Sequence, residues 1–169
     1  MMKRFFTFAI LVLGFATASF AQETASASAS ATIVTPISIT KTVDLNFGNV
    51  AVQSTTAGTV VMAPDGSRTE ANGVTLPATP GTVTAASFNV AGEGNYTYAI
   101  TLPSTCTITH ATSASTMEVN AFTSNPSVTG TLSSGAQTLT VGATLNVSAA
   151  QESGAYTSGT DFNVTVNYN

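Results

Sequence analysis

His110 and Cys106 are the only histidine and the only cysteine in a chain of 169 residues, and both sit among threonines and serines. With so many hydroxyls a Ser-His-carboxylate relay can be drawn. Such a relay needs a serine presented on a sharp elbow within reach of the imidazole, and no nucleophile-elbow motif is present. His110 instead closes a predicted strand ahead of the polar tract Ala111 to Ser115. The carboxylates are isolated along the chain. The nearest pair, Asp65 and Glu70, falls in a Gly-Ser turn and reads as a solvated loop, and only separation in space can decide whether any two form a glycosidase-type pair. One Cys and one His cannot supply the several ligands of a structural zinc site. Asp65-Gly66-Ser67 lacks the dense acidic pattern of a calcium loop, which leaves that ion only loop carboxylates and carbonyls. Gly92-Glu93-Gly94 precedes a strand and not a helix, so it reads as a hairpin turn and not a phosphate cradle. The expectation is a protein with no catalytic residue, no metal and no cofactor.

Cys106 has no partner for an intramolecular disulfide. Within Thr105-Cys106-Thr107-Ile108 it reads as a small buried strand residue, the alternatives being intermolecular pairing or a reactive thiol. The elements that must position these side chains are strands. Runs with high strand preference recur between clusters of Gly, Pro, Asn and Ser, at the spacing of a sandwich or barrel. They predict strands near 32–40, 43–47, 58–63, 83–91, 95–102, 105–110, 116–123, 137–147 and 160–168. The last is the most regular. From Phe162 to Tyr168 apolar and polar residues alternate, which places Phe162, Val164, Val166 and Tyr168 on one face of a half-buried strand.

A second alternation runs from Ala25 to Thr40, where the odd positions are Ala25, Ala27, Ala29, Ala31, Ile33, Thr35, Ile37 and Ile39. Fully extended, this stretch would span roughly 50 Å, longer than a usual strand, so a division is expected near Pro36 or before Ile33. Ala25 to Ala31 reads either as a low-complexity linker or as an exchangeable strand. Before it, Met1-Met2-Lys3-Arg4, the apolar run Phe5 to Phe15 and Ser19-Phe20-Ala21 have the form of a secretory signal peptide. The expected organisation is a signal peptide over 1–21, an Ala/Ser-rich extension over 22–32 and one β domain over 33–169. Cleavage would leave Lys41 and Arg68 against eight carboxylates, a net charge of −6. With no basic cluster, nucleic acid is excluded as a partner. Nothing later in the chain is apolar enough to span a membrane as a helix, so the chain is not expected to be an integral membrane protein.

The segments Ala31 to Ile39, Asp44-Leu45-Asn46-Phe47-Gly48, Ala86 to Val90, Val141 to Leu145, and Gly154-Ala155-Tyr156 leading to Phe162 through Tyr168 together resemble a family of exported bacterial proteins known as domain of unknown function number 4402. That family assigns no catalytic residues. Leu45-Asn46-Phe47-Gly48 and the alternating last strand with Tyr168 also resemble subunits of chaperone–usher pili and spore-coat-type secreted proteins. This wider resemblance implies an immunoglobulin-like, pilin-like β-sandwich with an N-terminal extension, missing one strand. A periplasmic chaperone lends that strand in transit to an outer-membrane usher, and the extension of another subunit then replaces it. It implies a strand-pairing interface of Phe162, Val164, Val166 and Tyr168, with Ile33, Ile37 and Ile39 either as donor plugs or as part of a self-complete domain. The function expected is a non-catalytic subunit of a bacterial surface appendage or coat, found at the cell surface or outside the cell and partnered by other copies. The alternative is a secreted binding module for a carbohydrate or a surface protein, with Tyr96, Tyr98 and Tyr156 as a sugar platform.

Overall fold

The computed structural model describes residues 21–169. The expected signal peptide lies outside the described residues except for Ala21. The chain divides into two compact units, Met1–Thr32 and Ile33–Asn169. In the first, residues 21–32 have no regular secondary structure and are exposed throughout.

The second unit is all β, with no helix among the described residues. Its organising strand is the longest, β11 (Ala136–Val147). Leu139, Val141, Ala143, Leu145 and Val147 point inward from it, while Thr138, Thr140, Thr144 and Asn146 lie on the other face. One strand needs two neighbours on the same edge: β6 (Ala86–Ala91) pairs with its first half and β3 (Gly58–Met62) with its second. Gly142 sits at the changeover. A Cβ there would overlap the Met62 carbonyl oxygen, so the close approach of β3 requires a glycine. On the opposite edge β9 (Thr116–Asn125) pairs along most of β11, with a bulge opposite Ala143 where Ala121 takes φ 48°.

The large sheet continues from β9 to β8 (Thr105–His110) and β12 (Tyr156–Ser158), and ends on the other side at β1 (Ser38–Val43), which pairs with β6. The hairpin from β3 to β4 (Arg68–Asn72) turns through Pro64 to Ser67, where the Ala63 N–H donates to the Ser67 carbonyl at 2.9 Å. Arg68 ties this hairpin down by donating to the carbonyls of Phe47 and Asn49. A second sheet has the order β10 (Thr129–Thr131), β7 (Thr97–Thr101), β13 (Thr165–Tyr168), and β2 (Ala51–Val52) pairs only with β5 (Val74–Thr75).

Two apolar clusters fill the interior. One joins Phe47, Val60, Met62, Val74, Val119, Ala143, Leu145 and Val147; the other takes Phe88, Val90, Leu139 and Val141 from the large sheet and Tyr98, Leu132 and Val166 from the second sheet and its flanks. Leu45 and Phe122 pack against both clusters and join them.

Seven of the expected strands overlap β3, β6, β7, β8, β9, β11 and β13. Two differ. No strand covers Thr32 to Ile37, because Pro36 has no N–H to give a ladder and pairing begins at Ser38. The segment 43–47 keeps only the end of β1 and a single bridge from Asn46 to Thr84. Five short strands carried no signal: β2, β4, β5, β10 and β12 have two to five residues each, and β4 is an exposed edge reading Arg-Thr-Glu-Ala-Asn, without an apolar face.

Candidate strand-pairing site

β13 is the end strand of its sheet. One edge is paired antiparallel with β7 from Thr165↔Thr101 to Tyr168↔Tyr98, and no strand of the described chain pairs with the other. The expected strand over 160–168 forms only from Thr165, and the alternation of the sequence runs through β13 and the irregular segment just before it. Val166 is 8% exposed, Phe162, Val164 and Tyr168 are half-buried in the second apolar cluster, and Asn163, Thr165 and Asn167 face outward. The ring of Phe162 packs on Phe122 with centroids 5.0 Å apart. An edge anchored in the core on one face, with main-chain groups unpaired along its side, is a template for another strand. β1, the end strand of the large sheet, contacts β13, and Ile37 and Ile39 enter the same cluster. Six of the seven sequence-derived interface residues therefore converge: Phe162, Val164, Val166, Tyr168, Ile37 and Ile39. Ile33 does not join them and is 92% exposed.

Three residues that the sequence reading did not connect meet at the end of β13. The Thr35 N–H donates to Glu93 Oε2 at 2.9 Å, and the Tyr168 hydroxyl donates to the Thr35 carbonyl at 2.7 Å. The same hydroxyl accepts from the Glu93 N–H at 2.6 Å. The rings of Tyr168 and Tyr96 pack edge-to-face, with centroids 5.6 Å apart. Gly92 makes the approach possible, since a Cβ there would overlap the Tyr168 hydroxyl. The Thr35 N–H, with a smaller contribution from the Thr35 hydroxyl, holds the Glu93 carboxyl below the usual carboxylate range. Sequence separations of 58 and 133 residues leave no local pattern that could announce these contacts.

His110 is 9% exposed and both ring nitrogens face backbone or hydroxyl groups. Nδ1 accepts from the Thr112 N–H at 3.3 Å, which fits the tautomer whose Nε2–H donates to the Ser153 carbonyl at 3.1 Å. Tyr156 closes over the ring with centroids 5.0 Å apart, and a Cβ on Gly154 would overlap Nε2. This is a staple between the turn after β8 and the loop before β12. Beside it Ser113 and Ser115 both donate to Glu152 Oε2 at 2.6 Å, which holds that carboxyl below its usual range. Both hydroxyls donate to the carboxylate, and neither donates to the His110 imidazole as the serine of a Ser-His relay does.

Burial, with a smaller contribution from Asp161, pushes the Cys106 thiol up. A reactive cysteine requires the opposite shift. Of the tyrosines, Tyr98 is fully buried and donates to Gln137 Oε1 at 2.9 Å, Tyr156 donates to the Glu152 carbonyl at 2.8 Å, and Tyr96 packs on Tyr168. Tyr98, with no exposed surface, has no face to offer to a sugar. Among the described residues no three His, Cys, Asp or Glu side chains group as metal ligands, and no helix is long and apolar enough to cross a membrane.

No curated protein and no solved structure shows significant similarity to the chain. A family model described as Domain of unknown function (DUF4402) matches residues 37–168, from Ile37 just ahead of β1 to Tyr168 at the end of β13, and the chain belongs to that family.

Proposed function

We propose that this protein is an exported, non-catalytic structural subunit of a bacterial surface appendage or coat, an immunoglobulin-like sandwich that pairs with other copies by strand exchange. The observation that carries the reading is the unpaired edge of β13, anchored through Val166 and Tyr168 and through Phe162 and Val164 just ahead of it, in a chain whose residues 21–32 are exposed and form no strand. An added strand gains main-chain hydrogen bonds worth about 0.5–1.5 kcal/mol each, and its side chains set specificity. The alanines from Ala25 to Ala31 bury little area at roughly 25 cal/mol per Å², so affinity falls mainly on backbone pairing and on Ile33. Export through the N-terminal segment, with a periplasmic chaperone covering β13 before an outer-membrane usher, fits the same edge, which would otherwise aggregate in transit.

The test uses the chain from Gln22 and a variant lacking residues 22–34, which keeps the edge but has no donor. A synthetic peptide of residues 22–34 should bind the shortened variant and protect the amides of β13 from exchange. The chain from Gln22 should form linear oligomers on concentration while the shortened variant stays monomeric. A monomeric chain from Gln22 together with no peptide binding would overturn the reading.

A further inference from the structure

We infer that Glu93 and Tyr168 form a main-chain clamp on Thr35, which marks where the chain stops being part of its own fold and becomes available to a second copy. This rests on the strand-exchange reading above and adds to it the boundary of the donor. In a strand, a residue's N–H and C=O are satisfied by a neighbouring backbone. At Thr35 a carboxylate takes the N–H and a phenol hydroxyl takes the C=O, at 2.9 and 2.7 Å. Both of these hydrogen bonds are to the main chain of Thr35, and its hydroxyl adds a weaker contact to the Glu93 carboxylate.

The clamp is also the first long-range attachment of the second unit. Among the described residues, Ile33 and Val34 make no hydrogen bond in the structure, Pro36 has no N–H, and pairing with β6 begins at Ser38. Chain fixed on only one side of Pro36 would peel from Ser38 outward, releasing Ile37 from the apolar cluster. With Thr35 gripped, Ile37 and Ile39 stay in their own core, while Ile33, 92% exposed, is left on the outer side of the clamp. Three independent features build the grip: Gly92 clears room for the phenol, the Tyr96 ring packs against it, and the Glu93 N–H donates to its oxygen at 2.6 Å. The donor is thus confined to residues 22–34, and Ile37 is excluded from it.

Tyr168→Phe removes one hydroxyl and keeps the ring; Glu93→Ala removes the carboxylate; Gly92→Ala displaces the phenol without touching Thr35. In the chain from Gln22, the Thr35 amide should exchange at least about tenfold more slowly than an unstructured amide. A non-specific protease should cut before Thr35 and not between Thr35 and Ser38. Each variant should lose the protection at Thr35 and admit cleavage up to Ser38, while β11 amides stay protected and show the fold intact. An unprotected Thr35 amide in the unaltered chain, or unchanged protection in all three variants, overturns the clamp. If protection is lost as expected but oligomers of the variants match those of the unaltered chain, the boundary role is overturned. If the unaltered chain shows the clamp but neither oligomers nor peptide binding, strand exchange fails and the clamp stands.

Discussion

Tyr98 shows how single side chains hold this fold together without charge. Its ring lies over Gly130, its cross-strand neighbour in β10, and its hydroxyl donates to Gln137 Oε1, which also accepts from the Thr131 N–H at 2.9 Å. Tyr98→Phe leaves Gln137 with a donor and should cost about 1 kcal/mol, whereas Gly130→Ala drives a Cβ into the phenol and should cost about 1–3 kcal/mol. Urea midpoints at constant slope will separate the two. Glu152 gives a pH signature at the same scale. The Ser113 and Ser115 hydroxyls lower its folded pKa below the ordinary 4.5, so the stability they contribute is complete above that value and is lost as pH falls through the folded pKa. The double variant Ser113→Ala/Ser115→Ala should therefore be less stable than the unaltered protein near neutral pH, with the difference shrinking in acid. A difference in urea midpoint that stays constant across that acid range would contradict the assignment.

Between the elements, the contrast that matters most is Ile33 against Ile37. Both lie in the same alternating stretch, yet one is outside the fold and the other is packed under β13. Ile33→Ala should leave the unfolding free energy within about 0.5 kcal/mol of the unaltered protein while weakening oligomers and peptide binding. Ile37→Ala should lower it by about 1–2 kcal/mol, part of the cost of a fully buried site. The turn between β9 and β10 supplies a test without function: Val128 is exposed and β-branched at φ 60°, a conformation that asparagine tolerates far better. Val128→Asn should raise stability by about 1 kcal/mol, read as an upward shift of the thermal midpoint.

Taken whole, the molecule is built from packing and backbone pairing. Among the described residues the one ion pair, Lys41 with Asp44 at 2.6 Å, is on the surface, so the urea midpoint should change little between low and about 0.5 M salt. How much of this was legible in the residues depends on distance along the chain. The alternations through β13 and β11 could be read directly, because side chains on a pleated strand must face opposite sides and one side must leave water, although the strand read from Phe162 forms only from Thr165. The same holds for the all-β class and the turn at Pro64 to Ser67. Short edge strands such as β4 and β12 were silent, since three to five mostly polar residues carry no periodicity and pair only because longer neighbours stand beside them. The convergence of Thr35, Glu93 and Tyr168 was equally hidden: each residue is ordinary in its own segment, and the clamp arises when β1, β6 and β13 end at the same place. Local order along the chain follows from the pattern of its side chains. Which strand edge stays open, and which isoleucine belongs to the core, follows from how strands far apart in the chain share one interior.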